Sequence, residues 1–198
     1  MLDLARFIEY LHVSKELDAA WPVVPASPLR RIAAWLLDYL LIAAYLVLLT
    51  AVSLSLRLSP MQAEFDSAMS QPLTAELLGF FLLTLPVVLY FALFEASPLR
   101  ATLGKRALRL AVVELNGFRL SMRRALLREA VRFVPWELSH ALLWRVALGP
   151  HGGSIAWWVT AGFGVLYALV LVYLVTMFIG SQHRTVYDRL AGSIVIRR

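Results

Sequence analysis

Asp38 is an acid inside an otherwise apolar stretch, IAAWLLDYLLIAAYLVLLTAVSLSL at residues 32 to 56. A carboxylate on a membrane helix costs about 2.5 to 3.5 kcal/mol on insertion scales, so it requires a partner or a task. Arg31 lies seven residues earlier, two helical turns back on the same face, and roughly 10 Å away along the axis, a gap that a long guanidinium partly closes. Such a pair suits two kinds of work. Asp38 takes up a proton or a small cation with Arg31 as counter-charge, or the two lock the first apolar helix to its surroundings as a structural ion pair.

Two further constellations carry chemistry. Glu137 and His140 are three apart, with Trp144 four further on, which puts all three along one helical face. A carboxylate beside an imidazole fits a proton relay, and it fits equally a polar helix that hydrogen-bonds inside a bundle. Thr185 and Asp188 in HRTVYDRLAG have the spacing of a capping box, Thr185 as N-cap and the acid at N3. Asp188 is also placed to dock against a basic loop as a clasp or a gate. Glu76 and Glu95 bracket the apolar run 77 to 94, where interfacial water is expected to solvate both.

Other chemistries fail on their own requirements. The chain has no cysteine, which excludes disulfides, thiolate metal sites and cysteine nucleophiles. Gly104-Lys105 lacks the earlier glycine and the following Ser/Thr of a phosphate loop, because Leu99 and Arg106 stand there. His12, His140, His151 and His183 do not have zinc-helix spacing, and no serine sits in a G-x-S-x-G elbow. The net charge of +6 is concentrated beside apolar runs, where anionic headgroups rather than nucleic acid account for it. The expectation is therefore a protein that is not an enzyme and has no cofactor, no metal and no nucleic-acid partner.

The elements that must hold these residues belong to a bilayer. Of 198 residues, 60% are apolar and 16% charged, against about 45 to 50% and 25% in soluble domains. Runs 32 to 56, 77 to 94 and 155 to 179 are long enough to cross a core of about 30 Å, the second with Pro86 at its middle to kink it. Residues 133 to 149 are short and polar, with Glu137, His140 and Arg145. Lys and Arg number four before the first run, one (Arg57) in the next loop, nine from Arg100 to Arg132, one (Arg145), and four from Arg184 to Arg198. Basic residues stay cytoplasmic, so this alternation predicts that 133 to 149 also crosses and that both termini lie inside.

Shorter signals complete the reading. RLAVVEL, Asn116-Gly117 and FRLS predict a hairpin with a type I′ turn, and the tail SIVIRR is expected to pair near it. Ser121 is placed to cap a helix through MRRALLREAVRF that leads to Pro135. Gly164 and Ala168 make a small-x-x-x-small notch for helix packing. Residues 1–27 form an amphipathic N-terminal extension, with a surface helix over Leu2 to Leu17, and the first span serves as an uncleaved insertion signal. The fold class is an all-α membrane protein: a four-crossing transmembrane helical bundle with a small cytoplasmic β-hairpin, its transmembrane domain spanning 28–198.

Three stretches together resemble the RDD family of bacterial membrane proteins, named for one arginine and two aspartates. RRIAAWLLD supplies Arg31, Ala34 and Asp38; SPLRATLGKRALRLAVVELNGFRLSMRRALLRE is similar to the family's T-x-G-K segment and arginine-rich helix. HRTVYDRLAGSIVIRR supplies Asp188 in a D-x-x-A-G-T-x-V pattern, with Ser193 in place of the threonine. The resemblance implies a bacterial cytoplasmic membrane protein and a transport role, with sodium/proton antiport attributed to some members. On that expectation Arg31, Asp38, Glu137 and His140 line an ion or proton pathway, and Asp188 with Thr185 is structural or gating. The competing expectation is a non-catalytic accessory or scaffold subunit. Partners are membrane lipids and either a second copy or another membrane protein.

Overall fold

The structure is a computed structural model that describes residues 19–147 and 155–198. The surface helix expected over residues 2 to 17 lies outside the described residues. Helix α1, Pro28–Arg57, starts with proline at its first turn, where the missing N–H costs nothing. A short helix α2, Gln62–Ser70, leads into α3, Pro72–Gly79. A π-helical turn at Phe80–Thr84 joins α3 to α4, Leu85–Ala96. Then follow α5, Leu103–Ala107; β1, Leu110–Glu114; α6, Met122–Ala147; α7, Trp157–Phe178; α8, Val186–Leu190; and β2, Ser193–Arg197.

Among the described residues three helices are long and apolar enough to cross a membrane: Pro28–Arg57, Leu73–Ala96 and Trp157–Phe178. The expected fourth crossing is not a separate segment. Ser121 Oγ accepts from Arg124 N as the cap, and the helix it starts runs straight through Pro135 to Ala147. At 26 residues α6 is roughly 39 Å long, but its basic first half and Glu137 keep it from qualifying by apolarity. It packs between α4 and α7. A core of Ile42, Val87 and Phe91, with Phe133 against it, ties α1 and α4 to α6.

Two prolines interrupt these helices, and the same device repairs both. Proline leaves the carbonyl four residues earlier without its helical donor. Pro86 so frees Leu82, whose carbonyl accepts from Tyr45 Oη of α1 at 2.6 Å. Pro135 frees Val131, whose carbonyl accepts from Tyr173 Oη of α7 at 2.7 Å. In hydrocarbon an unserved carbonyl has no water to turn to, so each tyrosine joins a neighbouring helix to the break.

The sheet corrects the predicted hairpin. β1 pairs antiparallel with β2, Leu110 opposite Arg197 and Glu114 opposite Ser193, as expected of the tail. Among the described residues the FRLS arm makes one bridge to β1, Val113 with Arg119, and Glu114 N donates to the Phe118 carbonyl. The turn is not type I′: among these residues only Gly117 has positive φ, +83°, and it follows a turn closed by Gly117 N to the Glu114 carbonyl. The tail makes the longer pairing, along the edge of β1 opposite the one that bonds Arg100 and Phe118, and both its faces are apolar. Leu110, Val112 and Val195 bury against Ala34, Ala92 and Ala125, whereas Ala111, Val113, Ile194 and Ile196 form a second cluster under Trp21. Residues 24 to 26 cover the free edge of β2, through Ala26 N to Val195 O and Arg197 N to Val24 O.

The predicted notch at Gly164 and Ala168 is exposed, and among the described residues nothing lies within 4 Å of where a Cβ on Gly164 would stand. Close helix approach occurs at Gly162 instead, where a Cβ would stand 2.6 Å from Leu142 of α6.

Tyr173→Phe is expected to destabilise the protein by about 1 kcal/mol in detergent unfolding, the usual net value of such a hydrogen bond. In a Pro135→Ala background, where residue 135 again has an N–H for the Val131 carbonyl, that loss should largely vanish.

Candidate functional site

Asp38 points from α1 at the loop that follows α4. The carboxylate is 1% exposed and held by neutral donors: Thr102 Oγ1 at 2.6 Å, Gly104 N at 2.8 Å and Tyr90 Oη at 3.0 Å. Each donor is itself fixed. Thr102 caps α5 by accepting from Lys105 N, and Tyr90 Oη accepts from Leu103 N. Gly104 is required by approach, because a Cβ there would stand 2.3 Å from the Ala34 carbonyl and 2.9 Å from Asp38 Cγ. The T-x-G-K segment is thus a socket for Asp38, formed by Thr102 and Gly104, while Lys105 turns to a second cluster.

Arg31 does not pair with Asp38, contrary to expectation. The guanidinium donates to Asp188 Oδ2 at 2.6 Å and to the carbonyl of His183, a residue in the left-handed region at φ 51°. Spacing placed both residues on one helical face, but the socket had already claimed Asp38. Asp188 behaves as predicted, with Thr185 as N-cap and both arms of the capping box present. Arg128 of α6 then bridges the two halves of the cluster. It meets Asp188 Oδ1 at 2.9 Å and Glu95 Oε2 at 2.6 Å, and it also pairs with Glu129. Lys105 Nζ reaches Glu95 Oε1 at 2.8 Å, and Arg132 reaches Glu129 Oε2 at 3.1 Å.

Glu95 corrects another expectation. It is fully buried in the centre of this network and not solvated at an interface. Glu76 pairs with Arg145 of α6. Sequence reasoning missed Glu95, Lys105, Arg128, Glu129 and Arg132 as a group. One signal was present: Ala125, Arg128 and Arg132 recur at helical spacing, so the buried stripe of α6 runs through its arginines.

Electrostatics explain the tolerance of so much charge. Burial pushes Asp188 towards its neutral form, but Arg31, Arg128 and the Thr185 hydrogen bond outweigh it and hold the carboxyl well below the usual range. Burial also lowers Lys105, with Arg132 and Arg128 adding to it and Glu95 opposing.

Glu137 and His140 stand apart, nine and twelve residues beyond Arg128 on α6. Glu137 Oε1 accepts from Thr84 at the end of the π-turn. Its gap to His140 Nδ1 is 3.8 Å, beyond hydrogen-bonding distance, and that nitrogen is buried without a partner. His140 packs edge-on against Trp136 at 4.9 Å. The two residues are therefore neighbours, but they are not joined as a relay, and the structure does not bring them to Arg31 or Asp38. Among the described residues no three of His, Asp and Glu converge as a metal-binding group.

Compared with protein-family models, residues 25–192 match the RDD family, which is most of the chain. The chain belongs to the RDD family. Neither the comparison with curated proteins nor that with solved structures gives a match. Arg31 and Asp188, two of the three residues of the resemblance, are ion-paired in this RDD protein, and Asp38 sits in its own socket one helix end away.

Asp188→Asn should destabilise this RDD protein at neutral pH by about 3 to 5 kcal/mol, the cost of leaving buried partners uncompensated. Because the native carboxyl titrates below its unfolded value, its contribution is complete above roughly pH 4 and declines as pH falls further. Thermal melts of wild type and Asp188→Asn should therefore converge on acidification.

Proposed function

We propose that this RDD protein is a non-catalytic membrane accessory or scaffold protein, and not an ion carrier. In this reading it crosses the bacterial cytoplasmic membrane four times with both termini inside. The observation that carries it is the state of Asp38, the acid an ion pathway would need. It is buried, and both its oxygens are occupied by protein donors at 2.6 to 3.0 Å. An ion could enter only by dismantling the joint between α1 and α5. In the clasp both carboxylate oxygens of Asp188 are likewise occupied, by Arg31 at 2.6 Å and Arg128 at 2.9 Å. Support for a fourth crossing comes from α6, whose second half bonds the second span through Thr84 and Glu137 and packs on α7 at Gly162. The outward-facing Gly164 and Ala168 suit a second copy or a partner membrane helix.

One observation favours the transport reading. The Glu137 side chain remains 36% exposed beside the unpartnered nitrogen of His140. Proteoliposome flux decides between the two. Wild type is expected to give no flux above protein-free vesicles under sodium, potassium and proton gradients, and Asp38→Asn to lower the melting temperature in detergent. Cation flux in wild type that a folded Glu137→Gln variant loses would establish transport.

The chain lacks cysteine, so single-cysteine labelling reads topology directly. A147C, exposed at the end of α6, should react with an impermeant maleimide from outside, and Q182C only after permeabilisation. The reverse pattern, Q182C reacting from outside and A147C only after permeabilisation, would leave α6 short of a crossing.

A further inference from the structure

A crevice of about 670 Å³ opens between α1, α6 and α7. Ligand sites commonly enclose roughly 300 to 1,000 Å³, so its size is that of a binding site. Helices α6 and α7 pack together, but α1 does not lie along α7, and the crevice is the wedge left between them. It passes into the surface that the apolar helices turn outward, where Tyr39 and Tyr167 are exposed.

Its lining is polarised. On α1 the wall runs Arg31, Trp35, Tyr39, Ile42; on α6 it runs Arg128, Arg132, Trp136, Ser139. On α7, which returns in the opposite direction, Leu166 and Val170 lead to Tyr173 and Met177. Each helix contributes a stripe of eleven residue steps, which is roughly 16 Å. That depth matches one leaflet, half of a core of about 30 Å. All the charge lies at one end, where Arg31, Lys105, Arg128 and Arg132 line the crevice and no Asp or Glu does.

The reason is how the ion network is oriented. Glu95, Glu129 and Asp188 have side chains 0% exposed, whereas Arg31, Lys105 and Arg132 retain 6%, 9% and 13%. The acids lie behind the bases. Among the described residues the network sets four basic side chains against three acidic ones. Buried charge in a medium of low dielectric is costly unless it is compensated, so an anion at this end would complete the set. Aromatic side chains just below the cations are those favoured at headgroup depth.

We infer that this crevice binds one anionic glycerophospholipid of the cytoplasmic leaflet. Its phosphate lies at Arg31, Lys105 and Arg132, and an acyl chain lies along Trp35, Trp136 and Val170. The inference goes beyond the accessory role and does not depend on it, since a carrier or a scaffold would present the same crevice.

The test uses the full chain, reconstituted in vesicles of equal phosphatidylglycerol and phosphatidylcholine, extracted gently and weighed by native mass spectrometry. One phosphatidylglycerol should remain per chain, in at least fivefold preference over phosphatidylcholine. Val170→Trp fills the apolar wall and leaves the ion network untouched; it should cut retention at least fivefold with no fall in melting temperature in lipid-free detergent. Arg132→Gln should reduce the preference for the anionic lipid. Equal retention of both lipids would overturn the inference, as would retention unchanged by Val170→Trp. Recovery of a lipid-free dimer would assign the crevice to a second copy, and retention of free fatty acid alone would remove the phosphate from the site.

Discussion

Burying charge beside a membrane is the constraint around which this structure is organised. Seven ionisable side chains converge at one end of the bundle, and at effective dielectric constants well below that of water each would be prohibitively costly as a lone charge. Arg128 makes them one object. Its guanidinium offers several donors in a rigid fork, so a single side chain joins Asp188, Glu95 and Glu129. Through those acids it connects the last short helix, the end of the second span and α1, elements far apart in the chain. A lysine, with one compact charge, could not reach all three acids.

The same economy governs Asp38. A carboxylate needs several donors, and here they are neutral: the Thr102 hydroxyl and the Gly104 N–H at the start of α5, and the Tyr90 phenol of α4. Aspartate in that socket joins α1 to the loop after α4, much as Tyr45 and Tyr173 join helices at proline breaks. Asp38, Tyr45 and Tyr173 thus act as connectors between helices, each bonded to a partner on a different element. Hydrophobic contact between spans cannot supply this specificity, because lipid tails are as apolar as the side chains they would replace.

The ion network also has a front and a back. Its carboxylates face the protein and its cations border the crevice, a division that no single pair distance reveals. The clasp that closes the bundle is thereby also a positively charged wall. Arg31 and Arg132 each pair with an acid of the network and also line the crevice.

Local signals in the chain were legible. Long apolar runs identify the three apolar spans; Thr185 and Asp188 announce their capping box; alternating Ile and Val mark the tail as a strand; Ser121 marks the start of α6. These depend on periodicity and on bonds within a few residues, which composition and spacing encode directly. Partner choice was not legible. Helical spacing put Arg31 and Asp38 on one face, but it cannot say which other element offers a better acid or a better donor, and both residues bonded across more than sixty positions of sequence. The extent of the tail's pairing with β1 was not legible either, because it depends on what each face of the sheet is buried against. Glu95 read as an interfacial acid until Lys105 and Arg128 were brought to it. What the residues determine alone is where apolar surface and charge occur along the chain; which charges meet is decided only by packing, because a buried ion's energy depends on every neighbour the fold places around it.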